Sequence, residues 1–574
     1  MRRHLHLLYS FLCFSVAAAL WPKPQSLHQS VGFVRLADSF DLAFTADKGQ
    51  QAAARDLEPA ISRARRHLAA DGLQRLTVDR GESQRDAVEA ASVLCRLDLR
   101  LNSTEPYTTL ASQLGRPYEH MDESYTLEVP DSGNSDDPLP LAAKLSANTS
   151  LGLVRGLDTF AQLVYALPQL GAASESTRYI PHVPLRIVDR PAFPHRAFML
   201  DTSRNFYPVS DILRTLDTMA SVKLNVFHWH IVDSQSWPLD LPTFPDLAQL
   251  GSYSRDEVYR LEAVKQVVDH AASLGIAVLL EIDMPGHTAA VAAAYPNFVA
   301  CLDARPWSTY AAEPPAGQLR LGDPDILAFS QRVLADAAKM SSSSLMSTGG
   351  DEVNERCYLD DPYTAAAMAA RNATLDELLA DFVSGLHSSV RANGKTPVVW
   401  EEAVLNHDLA LGKDAVVTVW INSSNVRAVA DKGYRIVHAA SDFFYLDCGA
   451  GAWLGNMPNG TSWCDPFKSW QKSYSFDPYL DLDVEQRHLV LGGEALVWSE
   501  QASPENLDSI SWPRAAAAAE VFWTGGAVAP GERSIGEALA RLHDWRYRAV
   551  CRGVRATALQ PHWCALRPGS CDLE

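Results

Sequence analysis

From Arg196 onward the chain repeats one pattern, a short and nearly all-apolar run followed by a stretch of helical periodicity. The runs fall at 197–200, 224–229, 276–280, 344–348, 397–400, 415–419, 435–438 and 489–491. Amphipathic segments at 211–222, 255–274, 325–340, 375–393 and 425–432 lie between most of them. Runs without polar alternation predict strands buried on both faces, and helical connections predict that they pair in parallel. Eight such units over roughly 350 residues predict a (β/α)8 barrel with insertions. Residues 20–190 read differently. Strand-like runs at 33–36, 94–99 and 125–129 mix with helical periodicity at 51–73 and 157–167. This predicts an α+β accessory domain, joined through a proline-rich linker at 181–194 to a barrel domain of 191–574.

Polar groups cluster just past each barrel run. They are Asp201 to Arg204, His230 to Asp233, Glu281 to His287, Asp351-Glu352, Trp400 to Glu402, Trp420, Tyr445 with Asp447, and Glu494 to Glu500. In a barrel of this kind the C-terminal strand ends form the active-site face, so this regularity points to an enzyme. Gly349-Gly350-Asp351-Glu352 is the sharpest case. Read alone, it also fits a turn opening a helix, with an acid in the first turn. At a strand end it places two carboxylates on a pocket rim, the minimum equipment for cleaving a glycosidic bond. Trp400, Trp420 and Trp498 can wall a saccharide pocket, because sugar C–H faces stack on indole. Arg204 can fork onto hydroxyls, while Asp447 and Glu500 can accept from others.

Net charge is −19, which argues against nucleic acid or an anionic membrane as partner. Met1-Arg2-Arg3, an apolar stretch from Leu5 to Val16 and Ala17-Ala18-Ala19 predict a signal peptide over 1–19. No later segment is apolar enough to span a bilayer, so no membrane span is expected in the mature chain. Asn102, Asn148, Asn372, Asn422 and Asn459 head glycosylation sequons. Nine cysteines include Cys13 in the signal, leaving an even set for an oxidising compartment. The pairs Cys301/Cys357, Cys448/Cys464 and Cys551/Cys564 are the disulfides expected, with Cys95 and Cys571 unassigned. There is no CxxC and no zinc-type spacing, so neither metal nor cofactor is expected.

The motifs 200–204, 228–233, 283–287, 349–353, 399–402, 492–498 and 512–515 occur in an order that resembles glycoside hydrolase family 20, the β-N-acetylhexosaminidases. The overall look is similar to fungal secreted members. The resemblance implies an exo-acting, retaining hydrolysis in which the substrate's own 2-acetamido oxygen attacks the anomeric carbon. It implies that Glu352 is the acid and base, that Asp351 holds the acetamido N–H, and that Tyr445 binds the acetamido oxygen. Asp233 and His287 would relay to Glu352. Arg204, Asp447 and Glu500 would bind the non-reducing sugar inside the tryptophan pocket. The expected partners are chitooligosaccharides and N-acetylhexosaminides; a homodimer fits the family, and residence is secreted, in the cell wall or vacuolar. One departure stands out: many members carry His two residues before Gly-Gly, where this chain has Ser347. Two other readings are a catalytically silent sugar-binding barrel and a metal hydrolase using His230, Asp233 and His287.

Overall fold

The computed structural model describes residues 19–45, 51–102, 106–132, 140–169, 176–525 and 534–573. The expected signal segment falls outside the described residues, apart from Ala19. The first sheet contains β1 (Ser26–Phe44), β2 (Ser92–Leu101), β3 (Tyr125–Val129), β4 (Ala142–Ala147), β5 (Tyr165–Ala166) and β6 (Arg178–Asp189). Their order is β1-β2-β4-β3-β6-β5, and β1 also pairs with β6. Helices Gln51–Ala70 and Ser150–Leu163 pack together beside this sheet. The second helix is buried at every position. It is capped by the Thr149 hydroxyl, which accepts from Gly152 N at 3.1 Å. A Cβ on its Gly152 would lie 2.2 Å from the Ser124 carbonyl oxygen, so glycine there lets the helix approach the sheet closely. On its other side Arg155 donates to the carbonyls of Leu274 and Gly275 in the barrel.

Two expectations for this region need correcting. The helix expected at 157–167 ends at Leu163, and Tyr165–Ala166 pair with β6. The apolar run there is continuous, so periodicity does not mark where helix gives way to strand. The expected linker at 181–194 is mostly strand. Val183, Leu185, Ile187 and Asp189 are buried while Pro184, Arg186 and Val188 face outward. That alternation prevails over the two prolines, and β1 accommodates them with register shifts around Gly32.

The second sheet closes on itself. Strands β7 (His195–Asp201), β8 (Val226–Val232) and β9 (Ala277–Ile282) lead into a long excursion containing the small pair β10 (Val299–Ala300) and β11 (Gln318–Leu319). The barrel resumes with β12 (Leu345–Ser347), β13 (Thr396–Trp400), β14 (Val416–Val419), β15 (Arg435–His438) and β16 (Val490–Val497). All eight barrel strands pair in parallel, and β16 returns to β7. Each coincides with one apolar run of the sequence. Ala197, Val226, Leu279, Leu345, Val398, Val416, Val437 and Leu491, one from each strand, fill the lower interior, and Tyr118 packs beneath them. Among the described residues no helix is long and apolar enough to cross a membrane.

Disulfides join Cys301 to Cys357 and Cys448 to Cys464, each tying down a loop on the active-site face. The third expected pair is not formed. Cys564 bonds instead to Cys571, with Cα atoms 5.8 Å apart, and Cys551 and Cys95 are free. Tight turns from Arg567 to Asp572 fold the chain back onto the helix His562–Ala565, which brings the nearer cysteine to Cys564. Cys551 ends a separate helix and faces solvent.

Candidate active site

At the C-terminal rim of the barrel lies a pocket lined among others by Arg204, His287, Asp351, Glu352, Trp420, Tyr445, Asp447, Trp498 and Glu500. The turn after β12 sets its chemistry. Gly349 and Gly350 have φ of 63° and 90°, and a Cβ on Gly349 would lie 2.0 Å from Asp283 Oδ1. Glycine is therefore required where the turn crosses the end of β9. Glu352 itself has φ 51° and His287 φ 53°. Such left-handed, non-glycine backbone costs about 1–3 kcal/mol, and it persists where a site dictates side-chain direction. Here it turns Asp351 inward, nearly buried, and leaves Glu352 partly open to the pocket.

His287 stands between acids. Its Nδ1 is 3.1 Å from Asp233 Oδ1, and its Nε2 is 3.3 Å from Glu352 Oε2 and 3.8 Å from Asp351 Oδ2. The last two are ion-pair contacts rather than aligned hydrogen bonds. Burial alone would strip the ring of its proton, but Asp233 and Asp351 hold it well above the usual histidine range. Burial pushes the Asp351 carboxyl up, against the pull of His287. Burial, with Asp351 beside it, also pushes Asp283 well above the carboxylate range, so one member of this acid pair is protonated. Asp283 Oδ1 accepts from Gly350 N at 2.8 Å, and the retained proton joins the Asp283 and Asp351 carboxyls.

The aromatic wall is continuous. Tyr445 stacks on Trp420 with centroids 6.0 Å apart at 14°, and Trp463 stands edge-on to both. Burial holds the Tyr445 phenol well above its ordinary range, which keeps its proton in place. Trp420 Nε1 donates to Glu402 Oε2 at 2.8 Å. Trp498 lies against Arg204, 5.0 Å from ring centroid to guanidinium carbon.

Residues 193–526 match the glycosyl hydrolase family 20 catalytic domain, and residues 20–163 match the domain described as beta-acetyl hexosaminidase like. The chain belongs to glycosyl hydrolase family 20. A beta-hexosaminidase of Arthroderma benhamiae is 39% identical over 476 residues, 80% of this chain and 75% of that one. The chitooligosaccharidolytic beta-N-acetylglucosaminidase of Ostrinia furnacalis is 35% identical over 468 residues, 79% and 75% of the two chains. Among solved structures, Flavobacterium johnsoniae chitobiase aligns with a TM-score of 0.68 at 25% identity, covering 94% of this chain and 73% of that one. The Streptomyces coelicolor beta-N-acetylhexosaminidase shares the fold, with a TM-score of 0.69 at 23% identity over 95% of this chain and 98% of the other.

Within this family 20 barrel the residues singled out by sequence converge, with two adjustments. Trp400 does not face the pocket. It is 1% exposed and forms a floor behind Trp420 and Trp498. Arg204 lines the pocket but is also gripped by Glu313, Asp233 and Asp201 at 2.7, 3.0 and 3.4 Å. Glu313 and Trp463 are pocket residues to which nothing in the sequence points, and Glu402 stood among the rim groups with no role of its own. Glu313 and Trp463 lie in long loops with no strand to mark them. Glu402 follows β13 closely, and its contact with Trp420 is what the structure adds.

Proposed function

We propose that this chain is an exo-acting β-N-acetylhexosaminidase that removes terminal non-reducing N-acetylglucosamine or N-acetylgalactosamine, with retention. The neighbouring Asp351 and Glu352, turned apart by the left-handed backbone of Glu352 and both within 4 Å of His287 Nε2, carry this reading. In the first step the acetamido oxygen attacks C1, the C1–O glycosidic bond breaks, and Glu352 gives its proton to the departing oxygen. Asp351 accepts from the acetamido N–H and offsets the positive charge of the oxazolinium ring. The Tyr445 hydroxyl donates to the attacking oxygen and aims it. In the second step Glu352 takes a proton from water, which opens the ring at C1 and restores the starting configuration. No carboxylate on the protein becomes bonded to sugar; family 20 is an exception to the two-carboxylate scheme in this respect. Arg204, Asp447 and Glu500 bind the hydroxyls of the terminal sugar. The Trp420, Tyr445 and Trp498 wall closes the pocket behind that sugar and supports exo action.

The names of relatives such as the Ostrinia furnacalis enzyme support chitooligosaccharides as the substrate class. The five sequon asparagines are all exposed, and the oxidised cysteine pairs fit an exported protein. The test is 4-nitrophenol release from the β-N-acetylglucosaminide beside the plain β-glucoside. Cleavage of the first alone is expected. Equal cleavage of both would remove the acetamido group from the mechanism, and cleavage of neither with retained sugar binding would favour a silent barrel.

A further inference from the structure

Above its aliphatic floor the barrel interior is ionic, and the reaction proposed above leaves most of those charges without a role. His228 Nδ1 lies 3.0 Å from Glu494 Oε2, and its Nε2 lies 2.9 Å from Glu281 Oε2. His230 Nδ1 lies 2.6 Å from Glu281 Oε1, and its Nε2 lies 2.7 Å from Asp233 Oδ2. Ser347, paired in register with Glu281, donates its hydroxyl to Glu281 Oε2 at 2.5 Å. Asp233 then reaches His287, and His287 reaches Glu352. The result is one unbroken column from the barrel axis to the pocket, with acid and imidazole alternating. Each of the two inner rings has a carboxylate at both nitrogens. A neutral imidazole donates from one nitrogen only, so with the flanking carboxylates ionised both rings are imidazolium.

We propose that Glu281 is a positioning residue for the hydrolysis assigned above: clasped by His228, His230 and Ser347, it holds His230 against Asp233 and so fixes the direction in which His287 meets Glu352. The inference rests on that functional reading. A purely structural cluster has no need to run unbroken into the pocket. Nor does the barrel need charge to fill its interior, because the layer below is aliphatic on all eight strands, and apolar replacement of buried ion pairs is often neutral or stabilising. Other charged or titratable groups facing the column are Arg204 on Asp233, Asp283 beside Glu281 and His230, and His195 near His228. Burial opposes protonation of the inner rings, yet their carboxylates raise His228 to about 10 and His230 to about 9. Ser347 gives Glu281 its third donor without adding a third cation. The histidine that many family members carry there could not do the same unless neutral.

The test is Glu281→Gln, which keeps the shape but aims an NH2 group at a ring N–H. On 4-nitrophenyl β-N-acetylglucosaminide we expect kcat to fall about 10- to 100-fold with KM within about threefold, as for a misplacement of roughly 1 Å at a reacting group. The pH profile should gain an inflection as one inner histidine begins to titrate in the working range. Wild-type kcat and profile in a folded variant would overturn the proposal. Should that variant not fold, Ser347→Ala and Ser347→Thr decide: alanine lowers kcat and threonine, which keeps the hydroxyl, restores it, whereas equal rates in the two overturn the assignment. Imidazole 15N resonances of His228 and His230 give a readout that needs no turnover. Doubly protonated rings at pH 7, lost in Glu281→Gln, support the column even if the wild type cleaves no acetamido sugar. Neutral rings at pH 7 overturn it.

Discussion

At the seam between the accessory sheet and the barrel, Glu123 is gripped by Arg155 at 2.7 Å, by Arg196 at 2.7 and 2.9 Å and by Asn225 at 3.2 Å. The two arginines spend their remaining donors on the backbone carbonyls of Leu274, Gly275, Phe193 and Lys223. Nearby, Lys223 pairs with Asp189 at 2.8 Å. No polar side-chain atom of these residues lacks a partner. The column and pocket bury comparable charge but include atoms with no protein hydrogen-bond partner: Glu494 Oε1, His287 Nε2 and the indole nitrogen of Trp400. Buried polar groups are normally satisfied, because leaving one bare costs about 1–3 kcal/mol. Saturation around Glu123 and Lys223 therefore marks charge used to dock one layer on another. Incompleteness above the barrel floor marks charge kept for a substrate or a proton.

The largest effect that could break this contrast lies in the pocket. Glu352→Gln should lower kcat on an N-acetylglucosamine disaccharide by about 10²- to 10⁴-fold, the usual worth of general acid–base catalysis. Affinity for N-acetylglucosamine and the thermal midpoint should stay near wild type. A rate within tenfold of wild type would take the acid role away from Glu352. A large drop in thermal midpoint would mean that the pocket charges serve stability as the seam does.

Glu123→Ala should do the opposite. It leaves Arg155 and Arg196 buried without their carboxylate, and breaking such a pair costs about 3–5 kcal/mol. The expected outcome is a clear fall in denaturation midpoint, with kcat per folded molecule unchanged. If activity fell while the midpoint held, the seam would be coupled to the site and the contrast would fail.

The seam was far harder to read from sequence than the barrel. Continuous apolar runs declared the eight strands, and the polar groups just past them declared the pocket, because both signals are local. Glu123 meets Arg196 across 73 positions and Arg155 across 32, and nothing in either neighbourhood points to the other. The same limit hid the column. His228 sits inside a run that reads as barrel lining, Glu281 and Glu494 read as rim groups past two other runs, and only the closed register sets the three side by side. The wrong disulfide has a related cause, since the turns after Cys564 that bring Cys571 back to it carry no signal in the sequence, and Cys551 ends a helix facing solvent. The linker reading failed because prolines were weighed above an alternation that was present.

The smallest effect expected is the pH dependence of stability, and it separates the column from the other buried histidines. Burial lowers His195 to about 3, and His387 and His438 to about 4. These rings are neutral when folded and take up protons when unfolded, so they cost stability as pH falls below the unfolded value near 6.5. His228 and His230, raised to about 10 and about 9, work on the other side. They are protonated in both states below about pH 6.5. Above it only the folded protein keeps the proton, so their contribution is lost steadily as pH climbs toward the folded values. Each should add a slope of about −1.4 kcal/mol per pH unit between 6.5 and its folded value. Buried Glu401 and Glu402, raised to about 7 and about 8, also favour the folded state less as pH climbs, so the histidines of the column steepen an alkaline limb that these carboxyls already tilt downward. Replacing His228 with Gln should flatten the alkaline side by one proton while leaving the acid side as it was. Urea unfolding at half-unit steps from pH 5 to 8.5 measures both limbs. An alkaline slope identical in the variant would mean that His228 is neutral in the fold, and the column would then be no more than a hydrogen-bonded core.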